Sequence, residues 1–154
     1  MTGHARVAAL LVGVGALLML GGCAGSEAGF GLPTLDDQDA GSAIGASGSA
    51  AQPRSGHLLV ESNGCFTWRA DNATRPEDGA WIVWPADARQ DADVVVLGSG
   101  ERIADGAALD AVGASVDLGD LPEGANADSY FGSFGGFCDA AERGVLVLTS
   151  VDGR

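Results

Sequence analysis

Ala80-Trp81-Ile82-Val83-Trp84 is a short run of strand-forming residues, apolar at every position and stopped by Pro85. Successive side chains of a strand point to opposite sides, so Trp81 and Trp84 face opposite ways. A strand of this kind must be covered on both faces, by its own domain or by a partner on one of them. Two arrangements satisfy it. Either both tryptophans are buried in a closed barrel or under a loop, or one is presented on a surface, where an indole makes a favoured contact for sugars and proteins.

The neighbouring runs have the same short, turn-bounded character. His57-Leu58-Leu59-Val60-Glu61 is followed by Ser62-Asn63-Gly64, and Asn-Gly is a strong hairpin signal, so Cys65-Phe66-Thr67-Trp68-Arg69 is expected to pair back on it. Alternation puts Phe66 and Trp68 on one face and Cys65, Thr67 and Arg69 on the other. Beyond the polar stretches 70–79 and 86–92, Asp93-Val94-Val95-Val96-Leu97 turns through Gly98-Ser99-Gly100 into Glu101-Arg102-Ile103-Ala104. Residues 107–118 carry a weaker β pattern broken by Gly113, and Val145-Leu146-Val147-Leu148-Thr149-Ser150-Val151 is the last clear strand. Short strands at this spacing predict an all-β domain, a small barrel or sandwich of about six strands, rather than βαβ units. The terminal strand is placed to close the sheet against the first. Residues 119–144 are the least regular part, with helical leanings only from Cys138 to Glu142. Tyr130, Phe131, Phe134 and Phe137 stand there among glycines and serines, as an adaptable binding loop or as a loop folded over the domain.

The compartment is written at the other end. Arg6 precedes an unbroken run of 14 apolar and glycine residues, 7–20. A helix of that length rises roughly 21 Å, short of the ~30 Å hydrocarbon core, so it fits the h-region of a signal peptide better than a permanent span. Leu20-Gly21-Gly22-Cys23 then resembles the lipobox of bacterial lipoproteins. The resemblance implies cleavage after residue 22, acylation of Cys23 (diacylglyceryl and a further chain such as palmitate), and a protein held on the extracytoplasmic face of the cell membrane. Two or more chains give a stable anchor where one alone is marginal. An ordinary cleaved signal or a short uncleaved anchor are the alternatives. Residues 23–55, rich in Ala, Gly, Ser and acidic side chains without a sustained period, read as a flexible linker, and 56–154 as the folded domain.

The part after residue 22 carries seven arginines, no lysine and 21 acidic residues, a net charge of about −14. Nucleic acid is excluded as a partner because counterion release requires clusters of Lys or Arg; a cationic partner is permitted. With Cys23 taken by lipid, Cys65 and Cys138 form an even pair in an oxidising compartment, read as a disulfide. A reactive or metal-binding thiol has no CxxC to support it, and His57 is the one histidine beyond the leader. Asp36-Asp37-Gln38-Asp39 lacks the oxygen spacing, glycine and distal glutamate of a calcium loop and reads as a solvated charge run. No metal site, no cofactor and no catalytic residue is assigned. Hydrolytic triads need an imidazole or equivalent base, and His57 lies at the seam between linker and first strand. Asn72-Ala73-Thr74 matches a sequon and marks an exposed loop.

The order Leu58-Leu59-Val60, Gly64-Cys65-Phe66, Val83-Trp84-Pro85, Ile103-Ala104-Asp105-Gly106 and a late cysteine before a valine-rich strand resembles a small all-β domain of uncharacterised actinobacterial lipoproteins. Val112-Gly113-Ala114 departs from it where that pattern carries a glycine run. The resemblance implies a fold and no activity, and no site residue is carried over. The expected function is a non-enzymatic envelope binding or accessory module. Its candidate surface for a protein partner is Trp81, Trp84, Tyr130, Phe131 and Phe134. The alternative is an acidic inhibitor or sequestering domain for a cationic target such as a lysozyme-like enzyme.

Overall fold

The computed structural model describes residues 31–71 and 78–154. The leader, Cys23 and the Asn72 sequon lie outside the described residues. The elements run β1 (Thr34–Leu35), α1 (Asp37–Ala46), β2 (Gln52–Val60), β3 (Phe66–Ala70), β4 (Trp81–Pro85), β5 (Arg89–Asp91), β6 (Val94–Val96), β7 (Arg102–Ile103), β8 (Ala108–Val116), a 3-10 turn (Leu118–Asp120), α2 (Tyr130–Phe137), α3 (Ala140–Arg143) and β9 (Val145–Gly153). The order β4-β3-β2-β8-β9 closes through a β4–β9 pairing into a five-stranded barrel, with β1 added beside β4 and a separate β5-β6-β7 sheet.

The expected hairpin is β2–β3, in register Leu58 to Trp68 and Val60 to Phe66. Its loop is three residues long. Glu61 N–H donates to Cys65 O at 2.8 Å, Gly64 N–H to Glu61 O at 2.8 Å, and Gly64 takes φ +87°, the left-handed position that glycine occupies without steric cost. Gly113, the break in the expected fifth run, sits at a register shift against β9. A Cβ there would lie 2.5 Å from Val147 O, so the strands come together only because the side chain is missing. The terminal strand closes the barrel as expected of its position but not against its expected neighbour. It pairs antiparallel with β8 and parallel with β4, and not with β2.

Two apolar layers follow from the alternation. Inside the barrel lie Leu58, Phe66, Trp68, Ile82, Trp84, Leu109, Leu146 and Leu148, capped by Val95, Leu97 and Ile103 of the small sheet. Outside it, Trp81, Val83, Val145, Val147 and Ala114 are covered by Leu35, Ala40, Ala43, Ile44, Phe131 and Phe134. The linker expected over residues 23–55 is therefore corrected from Leu32 onward. Asp36 caps α1 by accepting Asp39 N–H at 2.8 Å, and Ala40, Ala43 and Ile44 form an i, i+3, i+4 stripe. The stripe is made of small residues, so the helix lies close on the sheet while Gly41, Ser42 and Gly45 face away and give the segment its linker-like composition.

Candidate functional site

Of the five aromatic residues expected at a surface, four are core. Trp81 and Trp84 are fully buried on opposite faces of β4, and Phe131 and Phe134 are buried under α2. The Trp68, Trp81 and Trp84 indole N–H groups make no hydrogen bond among the described residues. An unsatisfied buried N–H costs about 1–3 kcal/mol, whereas burying an indole of ~200 Å² contributes about 5 kcal/mol at the usual area coefficient. Packing wins, and Trp81 is further held by Phe134 at a ring separation of 5.1 Å. The surface reading of Trp81, Trp84, Phe131 and Phe134 is thus overturned by a second layer of structure that covers the barrel wall.

Tyr130 remains half exposed, and so does Phe137, which the sequence marked only as part of the aromatic loop. They stand seven positions apart on α2, two turns along one helix face. That segment is a helix instead of the expected loop because its glycines are contacts. Asn126 O stands where a Cβ of Gly132 would be, and the Leu118 side chain where a Cβ of Gly135 would be. Ser129 caps the helix, accepting Gly132 N–H at 3.0 Å. The Cys65–Cys138 disulfide, Cα atoms 5.8 Å apart, fixes its far end to the β2–β3 hairpin. The Tyr130 hydroxyl donates to Leu32 O at 3.3 Å, and desolvation pushes its pKa above the ordinary phenol value.

A polar row crosses the outer wall of β3, β2 and β8. Ser55 Oγ donates to Asp110 Oδ1 at 2.7 Å, Arg154 reaches Asp71 Oδ2 at 2.9 Å and Asp110 Oδ1 at 3.4 Å, and His57 Nδ1 lies 3.2 Å from Asp71. The His57–Asp71 contact is close enough for ion pairing but lacks hydrogen-bond alignment. Because the hydroxyl is turned to Asp110 and not to the imidazole, the row is no nucleophile–base–acid relay; it ties the last residue to the barrel.

Ser55 and Asp110 of this row line a concavity of about 380 Å³, and another lies where the barrel seam splits. β4 pairs β9 only from Trp81 to Val83; beyond this, Trp84 and Pro85 pair with Thr34 and Leu35 of β1 instead. From Leu148 onward no strand among the described residues pairs with β9 on that edge. The gap is a cleft in two adjoining parts of about 260 Å³ and 350 Å³ that share Pro85, Asp87 and Thr149. Asp152 lines one part, Asp36 and Asp37 the other, and among the described residues no arginine lines either. Arg154 N–H donates to Ala108 O at 2.9 Å, so residues 152 and 154 turn their backbone groups toward β8 and residues 151 and 153 toward the open side. Gly153 N–H is taken by Glu101 Oε2 at 3.1 Å; the N–H and C=O of Val151 face the cleft. Sequence reasoning missed the cleft because its four aspartates come from three distant segments. The only signal was the Asp36-Asp37 pair, read as a solvated run.

No protein-family model matches the chain, no curated protein matches it, and no solved structure matches it.

Proposed function

We propose that this is an exported, lipid-anchored envelope protein. It acts as a non-enzymatic binding module that receives an extended, basic segment of a partner protein in the cleft beside β9. The observation that carries the reading is the β9 edge at Val151, without a strand beside it among the described residues, running along a groove lined by Asp36, Asp37, Asp87 and Asp152 and by no described arginine. An extended segment adds to such an edge through main-chain hydrogen bonds, and alternate side chains supply specificity. Arginine or lysine at those alternate positions meets the carboxylates, and the excess negative charge of the domain steers a cationic partner toward it. The reading merges the expected accessory role with the alternative of an acidic sequestering domain for a cationic target such as a lysozyme-like enzyme. The lipobox-like Leu20-Gly21-Gly22-Cys23 supports the anchor and the extracytoplasmic location.

The test is calorimetric binding of a peptide alternating arginine and valine at low and high ionic strength. Affinity should fall steeply with salt. Asp37→Asn and Asp152→Asn should each weaken binding about two- to fivefold at low salt, the range of a partly exposed ion pair. Binding that is indifferent to both salt and these substitutions would overturn the reading.

A further inference from the structure

One side chain already occupies a pairing position on the β9 edge. We propose that Glu101 is the gate of the cleft: its carboxylate holds the position at Gly153 until a basic strand displaces it, and so selects which segments can add to β9. The inference rests on the strand-addition reading of the cleft and names the residue that regulates it.

Val151 and Gly153 turn their N–H and C=O groups to the same open side, one strand period apart. A segment that pairs along this edge gains from reaching both, since main-chain hydrogen bonds supply the affinity of strand addition. The second position is taken: Glu101 Oε2 accepts Gly153 N–H at 3.1 Å. A side-chain carboxylate thus stands where the carbonyl of a neighbouring strand would stand. Residue 153 is shaped for it, because a Cβ there would fall on the Glu101 carboxylate. Glycine admits the cap, and a side chain would push it off. The cap is also mounted on the wall of the cleft. Leu97 N–H donates to Glu101 O at 2.9 Å and Gly100 N–H to Leu97 O at 2.8 Å, closing a tight turn whose Gly98 and Ser99 line the cleft. The next residue is engaged elsewhere, Arg102 meeting Asp91 at 2.7 Å. Glu101 is exposed, so its carboxylate can swing into water when a strand arrives.

The side chains of that strand decide the cost of the exchange. An incoming strand brings its own carbonyl to Gly153 N–H, and the released carboxylate stands beside it. Where the strand carries arginine or lysine, the carboxylate gains an ion pair. Where it is neutral, one hydrogen bond replaces another and nothing further is gained. Where it is acidic, as a second copy of this chain with its net charge of −13 would be, like charges meet. An open strand edge is a template for any extended chain, and a charge placed on it is a common guard. Specificity needs such a repulsive element as well as an attractive one.

The experiment separates the cap from its charge in the full chain. Gly153→Ala displaces the carboxylate but retains it, whereas Glu101→Gln leaves an acceptor for Gly153 N–H and removes the charge. Wild type and both variants are titrated by calorimetry at low ionic strength with the alternating arginine–valine peptide and with an alternating threonine–valine peptide of the same length. Gly153→Ala should bind both peptides about two- to tenfold more tightly, the net worth of one hydrogen bond that no longer has to be broken. Without peptide, its residue 153 amide should lose the protection from hydrogen exchange that Gly153 has in wild type. Glu101→Gln should reduce the preference for arginine–valine over threonine–valine about two- to fivefold, the range of a partly exposed ion pair. Salt-dependent binding of the arginine–valine peptide that is the same in all three proteins would overturn the gate and leave the cleft reading standing, with Glu101 only stapling the small sheet to the barrel. Weaker binding by Gly153→Ala would overturn it too. No binding of either peptide to wild type or to Gly153→Ala would remove the cleft reading and the gate with it, whereas binding seen only in Gly153→Ala would support both.

Discussion

Single residues decide how closely the layers approach. Gly56 lies on the lumen side of β2, where a Cβ would stand 2.6 Å from the Trp68 indole and 2.5 Å from Arg69 O. Since one of the two obstacles is backbone, the clash cannot relax by rotating a side chain. Gly56→Ala should cost about 3 kcal/mol, the upper end for overpacking a core, seen as a lower urea midpoint with unchanged slope. Tyr130 is the only tyrosine of the chain, so its ionisation is directly visible by ultraviolet absorbance. Desolvation raises its pKa in the folded state; above the ordinary phenol value the unfolded chain therefore releases a proton that the folded one still holds. Stability from this group is complete at neutral pH and declines as pH rises past about 10. A titration that runs above that of a free phenol, and a shallower alkaline loss of stability in Tyr130→Phe, are expected. An ordinary phenol titration in the folded protein would contradict the packing of Tyr130 on Leu32.

At the scale of elements, the period-two reading reached furthest. The β2–β3 hairpin and the opposite faces of Phe66 and Cys65 were legible because strands alternate, and so was the need to cover both faces of β4, though not that the domain itself covers both. α1 was not, because its buried stripe is alanine with one isoleucine, and small side chains leave little hydropathy signal. α2 was not, because glycine in three of eight helical positions contradicts propensity; close contacts of Gly132 and Gly135 with the 118–126 segment override it. The cleft was invisible for a different reason: it opens where the β4–β9 pairing ends at Val83 and Val147, and strand pairing cannot be read from strand patterns. These differences make a strong test of the domain boundary. A fragment starting at residue 56 lacks Leu35, Ala40, Ala43 and Ile44 and uncovers Trp81 and Val83. It should be unfolded or molten, with red-shifted tryptophan emission, while a fragment starting at residue 31 should be native. Within the intact domain Asp36→Ala removes the N-cap and should cost about 1 kcal/mol.

At the scale of the molecule, a closed barrel is wrapped on one side by α1, α2 and α3 and stapled by a disulfide across 73 positions. Loop closure of that length contributes about 4 kcal/mol in chain-entropy models, a large share of the stability of a domain of this size. The double variant Cys65→Ser, Cys138→Ser should lose about that much in urea unfolding, and α2 should lose protection from hydrogen exchange before the barrel does. In the proposed reading the cleft, away from the wrapped side, is the place for a basic segment. The account depends most on that cleft. The direct measurement is a heteronuclear NMR titration of the 31–154 domain with the alternating arginine–valine peptide. It should shift the amides of Gly98, Ser99 and residues 149–152, and slow the exchange of the Val151 amide as its N–H gains a partner. Shifts confined to other faces, or none at low salt, would contradict it.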